Sequence, residues 1–173
     1  MTARVTLHLC ARLEERQAAE SALRSLCHGA GQSERYLDEL LSAFIEAFNN
    51  VVLHAYRDQP GGMVDVVLQL DDNQALIELS DSGRSFDIQA VPPPAASSED
   101  SGNLTEHGAP DERLIRRLGE GGYGVHIIRS LMSEVSYSRV GGRNVLRMIK
   151  HFAAIPATSA TDDGSGVVRA VAR

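Results

Sequence analysis

Several features are scarce in this sequence, and each scarcity argues against a class of protein. The 173 residues include no tryptophan and only two cysteines, Cys10 and Cys27, which show neither metal-ligand spacing nor a disulfide framework. The six histidines are scattered, which argues against a structural zinc site. No apolar run approaches the roughly 20 residues of a membrane-spanning helix. The sequence therefore predicts a protein of the reducing cytoplasm that has no membrane partner.

Positive charge is also in short supply. The chain has 17 lysine and arginine residues against 23 aspartate and glutamate residues, which gives a net charge of -6 at pH 7. An acidic chain has no electrostatic attraction to nucleic acid or anionic membrane, so neither is expected as a direct partner. The N-terminal residues lack the apolar segment of a signal peptide, which again favours the cytoplasm. The 43% hydrophobic and 23% charged content is typical of one globular domain.

The spacing of apolar residues predicts an α+β domain over residues 1–152. Alternating apolar residues predict five strands, at residues 5–9, 64–70, 75–79, 134–140 and 145–152. Helical spacing predicts three helices, over 12–29, over 34–57 and from Val125 onward. Grouped helices between strand hairpins are typical of a two-layer sandwich. We therefore expect a mixed, mostly antiparallel sheet with helices on one face.

Two segments lack this periodicity. Residues 88–120 are rich in proline, small residues and mixed charge. More than thirty such residues within a compact domain are typical of a functional loop or of disorder. Residues 153–173 are rich in alanine, serine, threonine and glycine, and they are expected to form a disordered tail.

Three polar or glycine-rich clusters interrupt the apolar pattern. In EAFNNVVLHAY, the residues Glu46, Asn50 and His54 recur every four positions and share one helical stripe. The segment DSGRSFD, residues 81–87, directly follows a strand, and GEGGYGV, residues 119–125, directly precedes a helix. Taken singly, the clusters have plain structural interpretations: a solvated helix face, a turn and a flexible glycine segment.

Taken together, the clusters indicate a nucleotide site. Glycines before a helix let backbone N–H groups approach a phosphate, whose charge the helix dipole stabilises. The carbonyl oxygen of Asn50 suits Mg²⁺, which also binds phosphate oxygens and water. Glu46, one turn earlier, would orient a nucleophile near the γ-phosphate. Asp81 can accept a hydrogen bond from the amino group of adenine, and Gly83 would clear space for the ring.

Two common nucleotide-binding motifs do not account for these glycines. A P-loop is excluded because the sequence contains no Gly-Lys-Ser or Gly-Lys-Thr. A Rossmann site requires a parallel βαβ unit before the glycines, and the predicted order of elements contains none there. The sequence therefore excludes a P-loop and argues against a Rossmann site.

In order and spacing, EAFNNVVLHAY, DSGRSFD and GGYGVHIIRSLMSEVSY resemble the N, G1 and G2 boxes of the GHKL ATPase superfamily, which has the Bergerat fold. They are most similar to the anti-sigma-factor serine/threonine kinases of RsbW type, and the resemblance spans residues 5–151. It implies ATP and Mg²⁺ as cofactors, with Asn50 holding the metal, Glu46 as the catalytic carboxylate and Asp81 recognising adenine. It also implies an ATP lid over residues 88–120. The remaining implied pocket residues are His54, Gly83, Phe86, Gly121, Gly122, Tyr123, Gly124, Val125 and Asn144.

Three details of the implied site stay open. His54 either belongs to the ATP site or is a structural histidine. Asn144 stands where many members of the family have threonine, so its contact with phosphate or adenine is undecided. Arg113, Arg116 and Arg117 are all candidates for the arginine that contacts phosphate near the end of the lid.

The resemblance implies a cytoplasmic kinase of a partner-switching system. Its substrate would be a STAS-domain anti-anti-sigma protein, and a sigma factor is a candidate second partner. A homodimer of the chain is also a candidate assembly. The first alternative is a non-catalytic module that binds ATP and sequesters a regulatory partner. Glu46 favours the kinase, because binding alone requires no carboxylate beside a triphosphate. A sensor-kinase domain that acts on histidine is disfavoured, because no dimerisation helix with a phosphoacceptor histidine precedes the domain.

Overall fold

The computed structural model describes residues 2–57, 61–85 and 123–152. In chain order the elements are β1 (Ala3–Cys10), a 3₁₀ turn (Leu13–Glu15), α1 (Arg16–Gly29), α2 (Glu34–Asn50), a π-helical turn (Val51–Ala55), β2 (Met63–Leu70), β3 (Gln74–Asp81), α3 (Tyr123–Leu131), β4 (Glu134–Val140) and β5 (Arg143–His151). The predicted lid and the predicted tail lie outside the described residues, as do Phe86, Gly121 and Gly122.

The five strands form one sheet in the order β1-β2-β3-β5-β4. The predicted α+β class is confirmed, but the expected mixed sheet is not, because all pairings among the described strands are antiparallel. The reason lies in the position of β5. β4 runs in the same direction as β3, so these two strands would form a parallel pair if they were neighbours. They are not neighbours, because β5 lies between them and is antiparallel to both.

Both hairpins turn where the sequence predicts a turn. Between β2 and β3, Asp71 Oδ1 accepts backbone N–H bonds from Asn73 at 2.9 Å and from Gln74 at 3.0 Å. Between β4 and β5, Gly141 and Gly142 both have positive φ angles, 59° and 82°. Glycine adopts this conformation without steric cost, and it is typical of tight hairpins.

One face of the sheet is apolar and forms half of the hydrophobic core. In β2, Val64, Val66 and Leu68 are completely buried, whereas the alternating residues Asp65 and Val67 are partly exposed. A strand that alternates in this way has one face against a second layer and one face toward solvent. The helices supply that second layer.

The central helix of this layer is α2, against which both α1 and α3 pack. Ser33 caps its N-terminus, since the Ser33 hydroxyl accepts the backbone N–H of Tyr36 at 3.2 Å. Apolar residues three and four positions apart then bury one stripe of the helix. Phe44 and Phe48 are completely buried, with ring centroids 5.7 Å apart.

The predicted long helix over 34–57 is α-helical only as far as Asn50. The next five residues form a π-helical turn, in which the Tyr56 N–H bonds to the Val51 carbonyl at 3.1 Å. None of the helices in the described ranges is both long and apolar enough to cross a membrane.

Candidate active site

Glu46 and Asn50 lie one turn apart near the end of α2 and face the first turn of α3. Both side chains are half-buried. A Cβ atom built on Gly124 would lie 2.5 Å from Glu46 Oε2 and 3.7 Å from Asn50 Nδ2. The absence of a side chain at Gly124 therefore allows the α3 backbone to approach both residues. The positive end of the α3 dipole lies beside the Glu46 carboxylate, so the predicted stripe is not a solvated face.

The amide of Asn50 has hydrogen-bonding capacity that the described protein does not use. Its Nδ2 atom is buried and has no hydrogen-bond partner among the described residues. A buried polar group without a partner costs about 1–3 kcal/mol, so such a group calls for an explanation. A rotation of the amide would exchange its nitrogen and oxygen, because the two are placed from their hydrogen bonds. Asn50 can therefore offer either a donor to an anion or an oxygen to a cation.

A pocket lies between the end of α2 and the sheet, with Asn50 in its lining. It is lined by residues of α2, the π-helical turn, the β3 end and the β4-β5 hairpin: Ala47, Asn50, Val51, Ala55, Asp81, Arg84, Tyr137, Asn144 and Leu146. Apolar side chains form much of the wall, and a few polar groups converge at Asp81. This composition is typical of a small-molecule site that buries an apolar ring and recognises one polar edge.

Asp81 is the last residue of β3, and it is only 5% exposed. Its Oδ1 atom accepts the backbone N–H of Gly83 and the Nδ2 amide of Asn144, both at 2.8 Å. No described residue donates a hydrogen bond to Oδ2. One carboxylate oxygen is thus held by the protein, and the other can accept a hydrogen bond from a bound molecule.

The π-helical turn positions the loop that follows Asp81. The Ala55 carbonyl accepts the backbone N–H of Arg84 at 2.9 Å. A Cβ atom on Gly83 would lie 2.6 Å from the same carbonyl oxygen, so this close approach requires glycine. The sequence predicts that Gly83 clears space for a base; in the structure its nearest neighbour is the Ala55 backbone. The turn and the loop are held together at the edge of the pocket.

Tyr56 holds the same region from the other side, although sequence reasoning gives it no separate role. Its hydroxyl donates to the Met63 carbonyl at 2.9 Å and accepts the Ser82 N–H at 2.9 Å. Its ring packs on Gly62, where a Cβ atom would lie 2.4 Å from the ring. The sequence signals this role only by placing a tyrosine directly after the polar stripe. The structure adds that this tyrosine is buried.

Asn144 is buried behind Asp81, its direct partner in the β3-β5 register. Besides its bond to Asp81, its Nδ2 donates to the Arg84 carbonyl at 3.1 Å. Its Oδ1 accepts the Tyr137 hydroxyl at 2.8 Å and the Arg139 guanidinium at 2.5 Å. Asn144 lines the pocket, but its polar atoms are engaged by protein groups.

The structure does not place the other described site residues in the lining of this pocket. His54 is exposed on the π-helical turn, and Val125 is buried in the hydrophobic core. Neither is among the described residues that line the pocket. Tyr123 begins α3. The roles of His54, Val125 and Tyr123 stay predictions.

Sequence reasoning missed the apolar walls of the pocket. Ala47 and Val51 belong to the buried stripe of α2, and Leu146 belongs to the apolar face of β5. Helical or strand spacing identifies these residues as core, but it does not reveal which core residues border a pocket. Tyr137 was missed for the same reason, since it alternates with exposed residues as any inward-facing strand residue does.

Within residues 2–57, 61–85 and 123–152, no group of three or more histidine, cysteine, aspartate or glutamate side chains is arranged to hold a metal ion. In phosphate sites, Mg²⁺ keeps several waters and uses one or two protein ligands together with phosphate oxygens. Asn50 fits this mode of binding: its Nδ2 has no hydrogen-bond partner among the described residues, and a rotation of the amide would present its oxygen as the protein ligand.

Comparison with known proteins identifies the family to which this fold belongs. The model of the histidine kinase-like ATPase domain matches residues 9–150. The serine-protein kinase RsbW of Staphylococcus epidermidis is 32% identical over 123 residues, which cover 70% of each chain. The corresponding kinase of Oceanobacillus iheyensis is 26% identical over 145 residues, which cover 84% of each chain. The chain belongs to the histidine kinase-like ATPase family, and it is an ATP-dependent serine/threonine protein kinase of RsbW type.

A solved structure supports the fold independently. A chain in the SiaB-SiaC complex from Pseudomonas aeruginosa matches with a TM-score of 0.58 and 16% sequence identity, over 84% of this chain and 88% of that chain. At this identity the likeness shows the fold alone. The predicted superfamily and fold class are confirmed.

Proposed function

We propose that this kinase transfers the γ-phosphoryl group of ATP to a serine or threonine of a STAS-domain anti-anti-sigma protein in a partner-switching system. A sigma factor is the proposed second partner. The observation that carries the proposal is the contact of Glu46 and Asn50 with the first turn of α3, where Gly124 leaves no side chain between them. The relatives named serine-protein kinase RsbW support the same chemistry.

The orientation of ATP follows from the positions of the two polar ends of the site. Asp81 Oδ2 would accept a hydrogen bond from the amino group of adenine, while the apolar walls cover the ring. The triphosphate would then extend past Asn50 toward the N-terminus of α3, where backbone N–H groups and the helix dipole favour anions. Asn50 would hold Mg²⁺, and the positive charge of this ion would offset the negative charge of the phosphates.

Glu46 would act on the hydroxyl group of the partner. The hydroxyl oxygen forms a bond to the γ-phosphorus, the bond from that phosphorus to the bridging oxygen breaks, and ADP leaves. The proton of the hydroxyl group passes to the Glu46 carboxylate. This role requires a carboxylate near the γ-phosphate, one helical turn from the residue that holds the metal, as Glu46 is placed relative to Asn50.

The proposal also includes the organisation of the chain. Residues 1–152 would form the ATP-binding domain, with residues 88–120 as its lid and 153–173 as a disordered tail. The protein would act in the cytoplasm, and the free thiols Cys10 and Cys27 are compatible with a reducing compartment.

The test is incubation of the chain with Mg²⁺, γ-labelled ATP and a purified STAS-domain protein of the same cell. The expected result is acid-stable phosphoserine or phosphothreonine on the partner, located by mass spectrometry. Glu46→Gln should slow the labelling by on the order of 100-fold or more, whereas the matched control Glu34→Gln, which replaces an exposed carboxylate in the first turn of α2, should leave it unchanged. Binding of ATP without any transfer by the wild-type chain would favour the non-catalytic module instead.

A further inference from the structure

Asp81 can select a base only if its carboxylate is held in one orientation. A carboxylate that rotates about its Cβ–Cγ bond exchanges its two oxygens and changes the direction of its lone pairs. The Gly83 N–H alone would leave this rotation weakly restrained, because one hydrogen bond to Oδ1 defines a distance but not a plane. The second donor, Asn144 Nδ2, removes this freedom.

The side chain of Asn144 is itself restrained from both ends. Its Nδ2 group donates to Asp81 Oδ1 and to the Arg84 carbonyl, with the Gly83 carbonyl at 3.4 Å. Its Oδ1 accepts two donors, the Tyr137 hydroxyl and the Arg139 guanidinium. An amide has two N–H donors and one oxygen with two lone pairs, so this set of partners fully occupies it. The amide can therefore adopt only one of its two flipped orientations.

The partners of Asn144 come from a hairpin that is distant in sequence from Asp81. Tyr137 and Arg139 lie on β4, and Asn144 lies on β5. The side-chain amide of Asn144 therefore connects the β4-β5 hairpin to the Asp81 carboxylate. Arg139 also donates to the Gly83 carbonyl at 3.0 Å, which fastens the loop after Asp81 to the same hairpin. Because Asn144 is only 2% exposed, water has little access to its amide.

We propose that Asn144, oriented by Tyr137 and Arg139, is a positioning residue for base selection. It acts through Asp81: by holding Oδ1, it leaves Oδ2 as the one acceptor directed toward a purine 6-amino group. The inference rests on the proposed adenine site. It adds that selectivity for the amino group depends on the β4-β5 hairpin, through a residue that need not touch the nucleotide.

The test compares ATP with purine riboside triphosphate, which differs from it only by the missing 6-amino group. We expect the wild-type chain to bind ATP about 10-fold to 100-fold more tightly, the range for one hydrogen bond to a charged group. In Asn144→Leu, which keeps the side-chain size, this ratio should fall to about threefold or less. In Tyr137→Phe, which removes one of the two donors to Asn144 Oδ1 and keeps the other from Arg139, the ratio should be intermediate. The control Ser138→Ala, on the opposite face of β4, should keep the wild-type ratio.

A purely structural role for Asn144 would give a different result. General loosening of the pocket weakens both nucleotides equally and leaves their ratio unchanged. A positioning role should raise KM for ATP while kcat at saturating ATP stays within about twofold, because the reacting γ-phosphate is at the other end of the nucleotide.

Each outcome decides between these interpretations. A folded Asn144→Leu chain with the wild-type ratio would overturn the inference, and if that variant fails to fold, an unchanged ratio in Tyr137→Phe would do so. A wild-type chain that does not distinguish the two nucleotides would instead overturn the adenine assignment of Asp81 itself, and the inference with it. Phosphorylation of the STAS partner is measured separately, so failure of the kinase proposal remains distinguishable.

Discussion

Gly124 and Glu46 are in contact across two helices, so that a Cβ atom built on the glycine would fall 2.5 Å from Glu46 Oε2. The obstructing atom is the end of a flexible side chain and not part of the backbone. Additional bulk at position 124 would therefore displace the carboxylate and leave the helix packing in place. The contact offers a way to move Glu46 without replacing it.

We expect Gly124→Ala to lower the rate of phosphoryl transfer by about tenfold, because Glu46 Oε2 must move by roughly 0.5–1 Å to reach an ordinary contact distance. Stability should be unchanged or higher, since alanine is favoured over glycine in a helix by about 0.5–1 kcal/mol. Single-turnover phosphorylation and thermal unfolding measure the two effects. Gly29→Ala is the control, because a Cβ atom there has no neighbour within 4 Å. Normal transfer by Gly124→Ala would contradict the role of this contact.

Substitution of Glu46 and of Asn50 should separate catalysis from binding. Glu46→Gln should bind Mg-ATP about as tightly as the wild type yet lose on the order of 100-fold or more in transfer rate, because only the proton transfer is affected. Asn50→Ala should lose both affinity and rate, because a metal ligand acts in the bound state and in the transition state. Titration calorimetry beside single-turnover phosphorylation gives both quantities. Normal Mg-ATP affinity in Asn50→Ala would exclude Asn50 as the metal ligand.

Asp81→Asn should change which purine is preferred, and not only weaken binding. The Gly83 N–H points at Oδ1, so the new amide should place its oxygen there and its NH₂ group toward the pocket. An NH₂ group repels the 6-amino group of adenine and matches the 6-carbonyl of inosine. We therefore expect ATP affinity to fall by about tenfold or more while inosine triphosphate loses much less. Competition binding of the two nucleotides measures this, and an unchanged preference for ATP would show that Asp81 does not face the base.

The Glu39–Lys150 ion pair should make stability depend on pH. Lys150 Nζ lies 2.8 Å from Glu39 Oε2 and donates to the Leu131 carbonyl at 2.6 Å. The hydrogen bond from Lys150, followed by that from Arg35, holds the pKa of Glu39 below its ordinary value. A lowered pKa in the folded state stabilises the fold above the unfolded pKa, and this contribution is lost as the pH falls through the folded pKa.

Glu39→Gln should therefore lower the free energy of unfolding by about 1 kcal/mol near neutral pH and by much less at about pH 3. Urea denaturation at the two pH values is the measurement. Asp38→Asn makes the same chemical change on the neighbouring exposed residue and should have little effect at either pH. An equal loss in Glu39→Gln at both pH values would show that packing, and not charge, is responsible.

The two cysteines should differ in reactivity. Cys27 is 1% exposed, and burial raises the pKa of its thiol to about 11, whereas Cys10 is half-buried at the end of β1. Because the thiolate is the reactive form, iodoacetamide should modify Cys10 well before Cys27 in the folded chain. Peptide mass spectrometry over time measures both rates, and addition of denaturant should make them similar. Comparable rates without denaturant would contradict the buried position of Cys27.

Much of the site could be predicted from local sequence. Glu46 and Asn50 are one helical turn apart wherever the helix lies, and a glycine-rich segment before a helix suits phosphate in any fold. The apolar periodicity likewise places Phe44, Phe48 and Val64 in the core without knowledge of the strand order. The side-chain types, their spacing and the resemblance to a family were therefore available from the sequence.

The tertiary structure decided the contacts between segments that are distant in the chain. Asn144 donates to Asp81 across 63 positions because β5, and not β4, pairs with β3, and no periodicity distinguishes these two arrangements. The contact of Gly124 with Glu46 depends on how α3 packs on α2, and the bond from the Arg84 N–H to the Ala55 carbonyl joins the π-helical turn to a loop that is distant in the chain. Local spacing determines which face of an element is apolar, but only the packing of whole elements determines which side chains meet.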